Sequence, residues 1–131
     1  MPQFIILGAG RPFKGEEHVA LRFASGNARV LDWMSESVRF LQAHMVFVCG
    51  YQSAEVKQHY PDYTYHYNPL WEQTGAACSL LSAELESGVE HYICYADIMF
   101  REGIVKKMAQ EEADIVVAVD SSWRKRFEGR S

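Results

Sequence analysis

The sequence predicts a three-layer α/β/α domain built on a mostly parallel sheet. Three observations lead there. Short apolar runs ending in glycine or aspartate alternate with stretches of helical periodicity. The runs are nearly continuous in apolar residues rather than alternating, as in strands buried on both faces. The turn signals between them leave room for helical crossovers rather than hairpins.

The elements follow in order. QFIILG (3–8) reads as a buried strand stopped by glycine. RVLDWMSESVRFLQAH (29–44) places Val30, Trp33, Met34, Val38 and Leu41 at helical spacing. MVFVCG (45–50) is a second buried strand. SAEVKQHY (53–60) reads as a short helix with Ser53 as N-cap, closed before Pro61. YTYHY (63–67) is a strand ending before Asn68-Pro69. TGAACSLLSAELES (74–87) predicts a helix ending before Gly88. EHYICYAD (90–97) is a strand, REGIVKKMAQEEA (101–113) a helix, and DIVVAVD (114–120) a strand. The tail from Ser121 has no period.

The 131 residues are 48% hydrophobic and 23% charged, an ordinary globular composition for one domain. Thirteen basic against 17 acidic residues give a formal net charge of −4. Such a balance argues against a nucleic-acid partner or an anionic membrane, and favours a small ligand held by a few local cations. Cys49, Cys78 and Cys94 lie in apolar runs without a CxxC pair, so free thiols in a reducing cytosol are expected. No signal-peptide pattern and no membrane-length apolar run is present, which predicts a soluble, cytoplasmic protein.

In a parallel sheet, ligands bind beyond the carboxyl ends of the strands. The loop after residue 8, Asn68, Asp97 and Asp120 each follow a predicted strand, so they are expected on one edge. In LGAGR, bare amides and the cations Arg11 and Lys14 suit a phosphate; a plain tight turn explains the glycines equally well. The dinucleotide spacing GxGxxG fails at Phe13, and the P-loop spacing is absent. Asp97 suits a hard divalent cation or a helix cap. Thr74 reads locally as an N-cap and Trp71 as a core residue. Ser79 lacks a nucleophile elbow, Cys78 lacks a base, and the five histidines show no ligand spacing, so most are read as surface or satisfied residues.

Together these stretches resemble the nucleotidyltransferases that activate sugar phosphates, phosphocholine and small phosphonates. LGAGRPFK resembles the family's loop after the first strand, and ARVLDWM its first helix start. VCGYQSAEV, YNPLWEQTGAACSLLSA and YICYADIMF resemble its later motifs in order. IVVAVD resembles the strand that comes next, and VDSSWRKRFEGR is similar to the cytidylyltransferase branch. The resemblance spans essentially the whole chain and implies a Rossmann-like fold. It also implies transfer of a nucleotidyl group from CTP to a phosphate or phosphonate acceptor, such as phosphocholine or 2-aminoethylphosphonate, with release of pyrophosphate. By the same resemblance, Leu7, Gly8, Ala9, Gly10 and Arg11 cradle the nucleotide. Lys14 neutralises the triphosphate, Thr74 and Gly75 lie by the base or acceptor, and Asp97 binds Mg²⁺. Lys14 and Asp97 are then the catalytic pair, and Asn68, Trp71, Asp120 and Trp123 face the acceptor. Trp71 or Trp123 would meet an ammonium group through its π face.

Two positions depart from the family pattern. Pro12 replaces the loop's second glycine, and Val19 stands where a lysine is expected. Family members extend further and add a second metal-binding aspartate. The chain is therefore expected to match their N-terminal part and to leave a sheet edge that a second copy could cover. A non-catalytic nucleotide-binding domain is the alternative. A dinucleotide oxidoreductase is disfavoured, because Gly50-Tyr51 stands where the ribose-binding acid belongs.

Overall fold

A computed structural model describes residues 1–12, 15–122 and 124. The chain divides into two compact units, Met1–Phe100 and Arg101–Ser131.

The first unit is an α/β fold around a four-stranded, all-parallel sheet. Strands β1 (Gln3–Gly8), β4 (His44–Cys49), β5 (Thr64–Tyr67) and β6 (His91–Tyr95) pair in the order β5-β4-β1-β6. In register, Ile5 faces Val46 on one side and Ile93 on the other. Successive side chains alternate faces. Ile5, Val46 and Val48 point to one face and pack with Ala9, Ala83, Leu80 and Trp71, the side covered by helix α3 (Ala76–Ser82). Phe4, Ile6 and Phe47 point to the other. There Met34 of α1 (Val30–Ser37) approaches Cys94 of β6. On that face the Phe47 ring contacts His18 and Tyr65 at 5.7 and 5.8 Å, and Tyr65 also donates to carbonyls of the α2 (Ser53–His59) region. Ile5, Ile6 and Phe47 are fully buried, each worth about 1.5–3 kcal/mol of apolar transfer. A small antiparallel pair, β2 (Phe23–Ser25) with β3 (Ala28–Arg29), turns through Gly26 at φ +56°.

The helices are shorter than their apolar periods predict. α1 stops at Ser37 and gives way to a 3-10 turn over Arg39–Leu41. Gln42, in the left-handed region at φ +49°, then swings the chain into β4. The buried positions of α1 are Leu31 and Met34, with Val38 just beyond, while Trp33 stays exposed. α3 covers only 76–82 of the expected 74–87. Buried Gln3 explains the early stop: its Nε2 donates to the Glu84 carbonyl at 3.1 Å and its Oε1 accepts from the Glu86 amide at 3.0 Å. A tertiary grip on 84–86 overrides the helix propensity of that stretch.

The second unit contains α4 (Glu102–Gln110), with a Lys106–Glu102 ion pair along it. The strand expected over 114–120 does not form. Ile115, Val117 and Val119 are largely exposed, and the unit has no other described strand whose backbone could pair with this run. All three cysteines are free thiols. No helix among the described residues is long and apolar enough to cross a membrane.

Candidate functional site

The carboxyl end of β1 opens into the loop Gly8–Arg11. Three successive carbonyls before Gly10 are each held by a different element. The Leu7 oxygen accepts from the Ala96 amide at 3.1 Å, and the Ala9 oxygen from the Tyr51 amide at 2.8 Å. The Gly8 oxygen meets Nε2 of His18 at 2.6 Å. With the oxygens engaged, the amides of Gly10 and Arg11 have no acceptor among the described residues.

The two glycines are needed for different reasons. A Cβ at Gly8 would collide with the Phe47 ring and crowd Ala96, whereas nothing lies within 4 Å of one at Gly10. Gly8 is required by packing. Gly10 borders open space where a ligand can approach. Ala9 is buried and supplies only its carbonyl.

At the end of β6, Ala96 is buried and Asp97 is exposed. Asp97 lines a cleft of about 330 Å³ together with Leu7, Gly8, Gly10, Arg11 and Tyr95. Five of the sequence-predicted site residues are thus brought together. A second cleft of about 310 Å³ is lined by Arg11, Trp71 and Glu72. Arg11 connects the two. Its guanidinium lies 5.6 Å from the Tyr51 ring centroid and 5.7 Å from that of Trp71. The cation against Trp71 is therefore the protein's own arginine, and an acceptor's ammonium would compete with it. Trp71 also presses on Gly50, where a Cβ would come within 2.6 Å of the indole Cγ and 2.7 Å of the Ala9 oxygen.

No family model matches this chain, and no curated protein matches it.

Asn68 is buried and fully engaged. Its Nδ2 donates to Thr74 Oγ1 and Ser79 Oγ, both at 3.1 Å, and its Oδ1 accepts from the Leu70 amide at 3.0 Å. Thr74 donates in turn to the Leu70 carbonyl at 2.7 Å, and the N-cap of α3 is Gly75 rather than Thr74. These residues shape the 68–75 turn that carries Trp71. Asp120 belongs to the second unit, where its carboxylate accepts from the Ser122 amide at 3.0 Å in a local turn. Lys14 and Trp123 lie outside the described residues.

Among the described residues no cluster of three or more His, Cys, Asp or Glu could hold a metal ion. One exposed carboxylate lining a cleft with Gly10 and Arg11 still fits Mg²⁺, which is often held by one or two carboxylates plus substrate phosphates. Asp97 also acts on its neighbour: burial first, and the nearby carboxylate second, push the Cys94 thiol up to about 12. That thiol stays protonated and is no nucleophile at neutral pH.

Three residues at the site were not among those the sequence singled out for it: His18, Tyr51 as a ring partner of Arg11, and Gln52, although Tyr51 and Gln52 lie within the VCGYQSAEV stretch that carries the resemblance. His18 falls within the satisfied histidines the sequence allowed for. Only the apolar VAL after it hinted that it enters the interior.

Proposed function

We propose that the chain is the nucleotide-binding part of a Mg²⁺-dependent nucleotidyltransferase of the cytoplasm, most simply a cytidylyltransferase acting on a small phosphate or phosphonate. The observation that carries this reading is the shared cleft at the ends of β1 and β6, lined by Gly10, Arg11 and Asp97. The Gly10 and Arg11 amides and the Arg11 guanidinium would receive phosphate oxygens, and Asp97 would hold the cation. Bound Mg²⁺ would neutralise charge on the phosphates. An acceptor oxygen then attacks the α-phosphorus of CTP, a new P–O bond forms, and the bond to the bridging oxygen breaks, so that pyrophosphate leaves. The residues contribute orientation and charge, which dominate such transfers. Lys14, three positions beyond Arg11, is assigned to the triphosphate in this scheme. An alternative, a nucleotide-binding domain without catalysis, draws support from Asp97 being, among the described residues, the only carboxylate that lines this cleft.

Calorimetric titration of CTP, ATP and GTP with and without Mg²⁺, on wild type and Asp97→Ala, tests the site. Mg²⁺-dependent CTP binding that weakens at least tenfold in the variant is expected; equal binding by both proteins removes Asp97 from the scheme. Pyrophosphate release with phosphocholine or 2-aminoethylphosphonate then separates transferase from binding domain.

A further inference from the structure

His18 is 1% exposed, although it follows an exposed acidic turn (Gly15–Glu17). Both ring nitrogens are committed. Nδ1 accepts from the Ala20 amide at 3.1 Å, and Nε2 faces the Gly8 carbonyl at 2.6 Å. An amide N–H can only donate and a carbonyl only accept, so the ring is the neutral Nε2–H tautomer. The His18 amide donates to Gln52 Oε1 at 3.0 Å, and Gln52 itself sits in the left-handed region at φ +47°. The same few atoms join the β1 loop, the 3-10 turn at Val19–Leu21 and the start of α2.

We propose that His18 is the positioning residue of the anion loop: its neutral ring holds the Gly8 carbonyl inward, and the loop receives nucleotide only while that tautomer persists. The inference rests on the nucleotide reading of the site. A second proton would have to go on Nδ1, where it would oppose the Ala20 N–H, so the imidazolium cannot keep both bonds. Among the described residues, the groups that the ring bonds or packs its face against are Gly8 from β1, Phe47 from β4 and Ala20 from the 3-10 turn. None of these is titratable, and neighbouring Glu16 and Glu17 are exposed. Burial lowers the His18 pKa from 6.5, with the Gly8 bond opposing. The unfolded chain therefore binds this proton more readily than the folded one. The contribution to stability is complete above about pH 6.5 and declines as pH falls below it toward the folded value.

The test compares wild type, His18→Gln and His18→Phe. Glutamine keeps an N–H donor without titrating, and phenylalanine fills the space without a donor. Mg²⁺·CTP affinity is measured from pH 7.5 to 4.5 on each, with ring ¹⁵N chemical shifts recorded on the wild type to follow its protonation. The expected result is an Nε2–H tautomer at pH 7.5 and an affinity that falls more steeply in wild type than in His18→Gln, by about tenfold per pH unit below the point where the ring titrates. The ligand's own titration is common to both proteins and cancels in that ratio. His18→Phe should bind about tenfold more weakly at pH 7.5, with His18→Gln recovering most of the loss. A thermal melt establishes that each variant is folded, and if His18→Phe is not, the wild-type and His18→Gln profiles decide. Parallel profiles, an Nδ1–H tautomer, or a folded His18→Phe that binds like wild type overturns the role of His18 alone. A wild type that binds no nucleotide at any pH overturns the nucleotide reading as well.

Discussion

Gly8 and Gly10 are two residues apart, and substituting each should have opposite consequences. Gly8→Ala drives a methyl into the Phe47 ring, an overpacking that costs typically 1–3 kcal/mol. Gly10→Ala meets nothing, so the melting temperature should barely change, while a methyl in the cleft mouth weakens nucleotide binding several-fold. Thermal melts and CTP titrations of both variants check this; a destabilised Gly10→Ala would mean that the loop is closed rather than open. That Gly10 and Asp97 meet at one edge of the sheet was legible, because each follows a strand of a parallel sheet. The Gly8 requirement was not, since it depends on Phe47, 39 positions away in sequence and adjacent only once β1 and β4 pair.

At the scale of elements, the 68–75 turn depends on a single buried amide. Asn68→Ala leaves the Leu70 amide without its partner and removes both side-chain bonds that hold Thr74 and Ser79. Losses of about 1–3 kcal/mol accompany each buried group left unpaired, so chemical denaturation should show a stability decrease in that range. Near-UV circular dichroism of Trp71 should change with it. An unchanged denaturation midpoint would mean that water replaces the amide. The strands β1, β4, β5 and β6 were readable from their apolar runs to within two residues at each end. Helix ends were not, because Gln3 ends α3 from a distant strand and a left-handed Gln42 ends the stretch after α1. Neither leaves a local signal. The 114–120 run shows the opposite failure: strand composition does not make a strand without a paired neighbour.

Among the described residues β6 is an end strand of the first unit's sheet, and Ile93 and Tyr95 on it are about half exposed. Open, apolar sheet edges favour pairing with another chain, so self-association is expected. Sedimentation velocity across a concentration series should show a dimer that Ile93→Lys shifts back toward monomer; a wild type that stays monomeric at every concentration counts against edge pairing. The anchoring of the β1 loop has a kinetic corollary. Its three carbonyls are secured by Ala96 after β6, by Tyr51 after β4 and by His18 before the 3-10 turn. Those anchors span nearly 80 positions of chain, and contacts of large sequence separation form late. The loop therefore takes its shape only when the sheet is complete, and a nascent or partly folded chain would have its strands before it had a site.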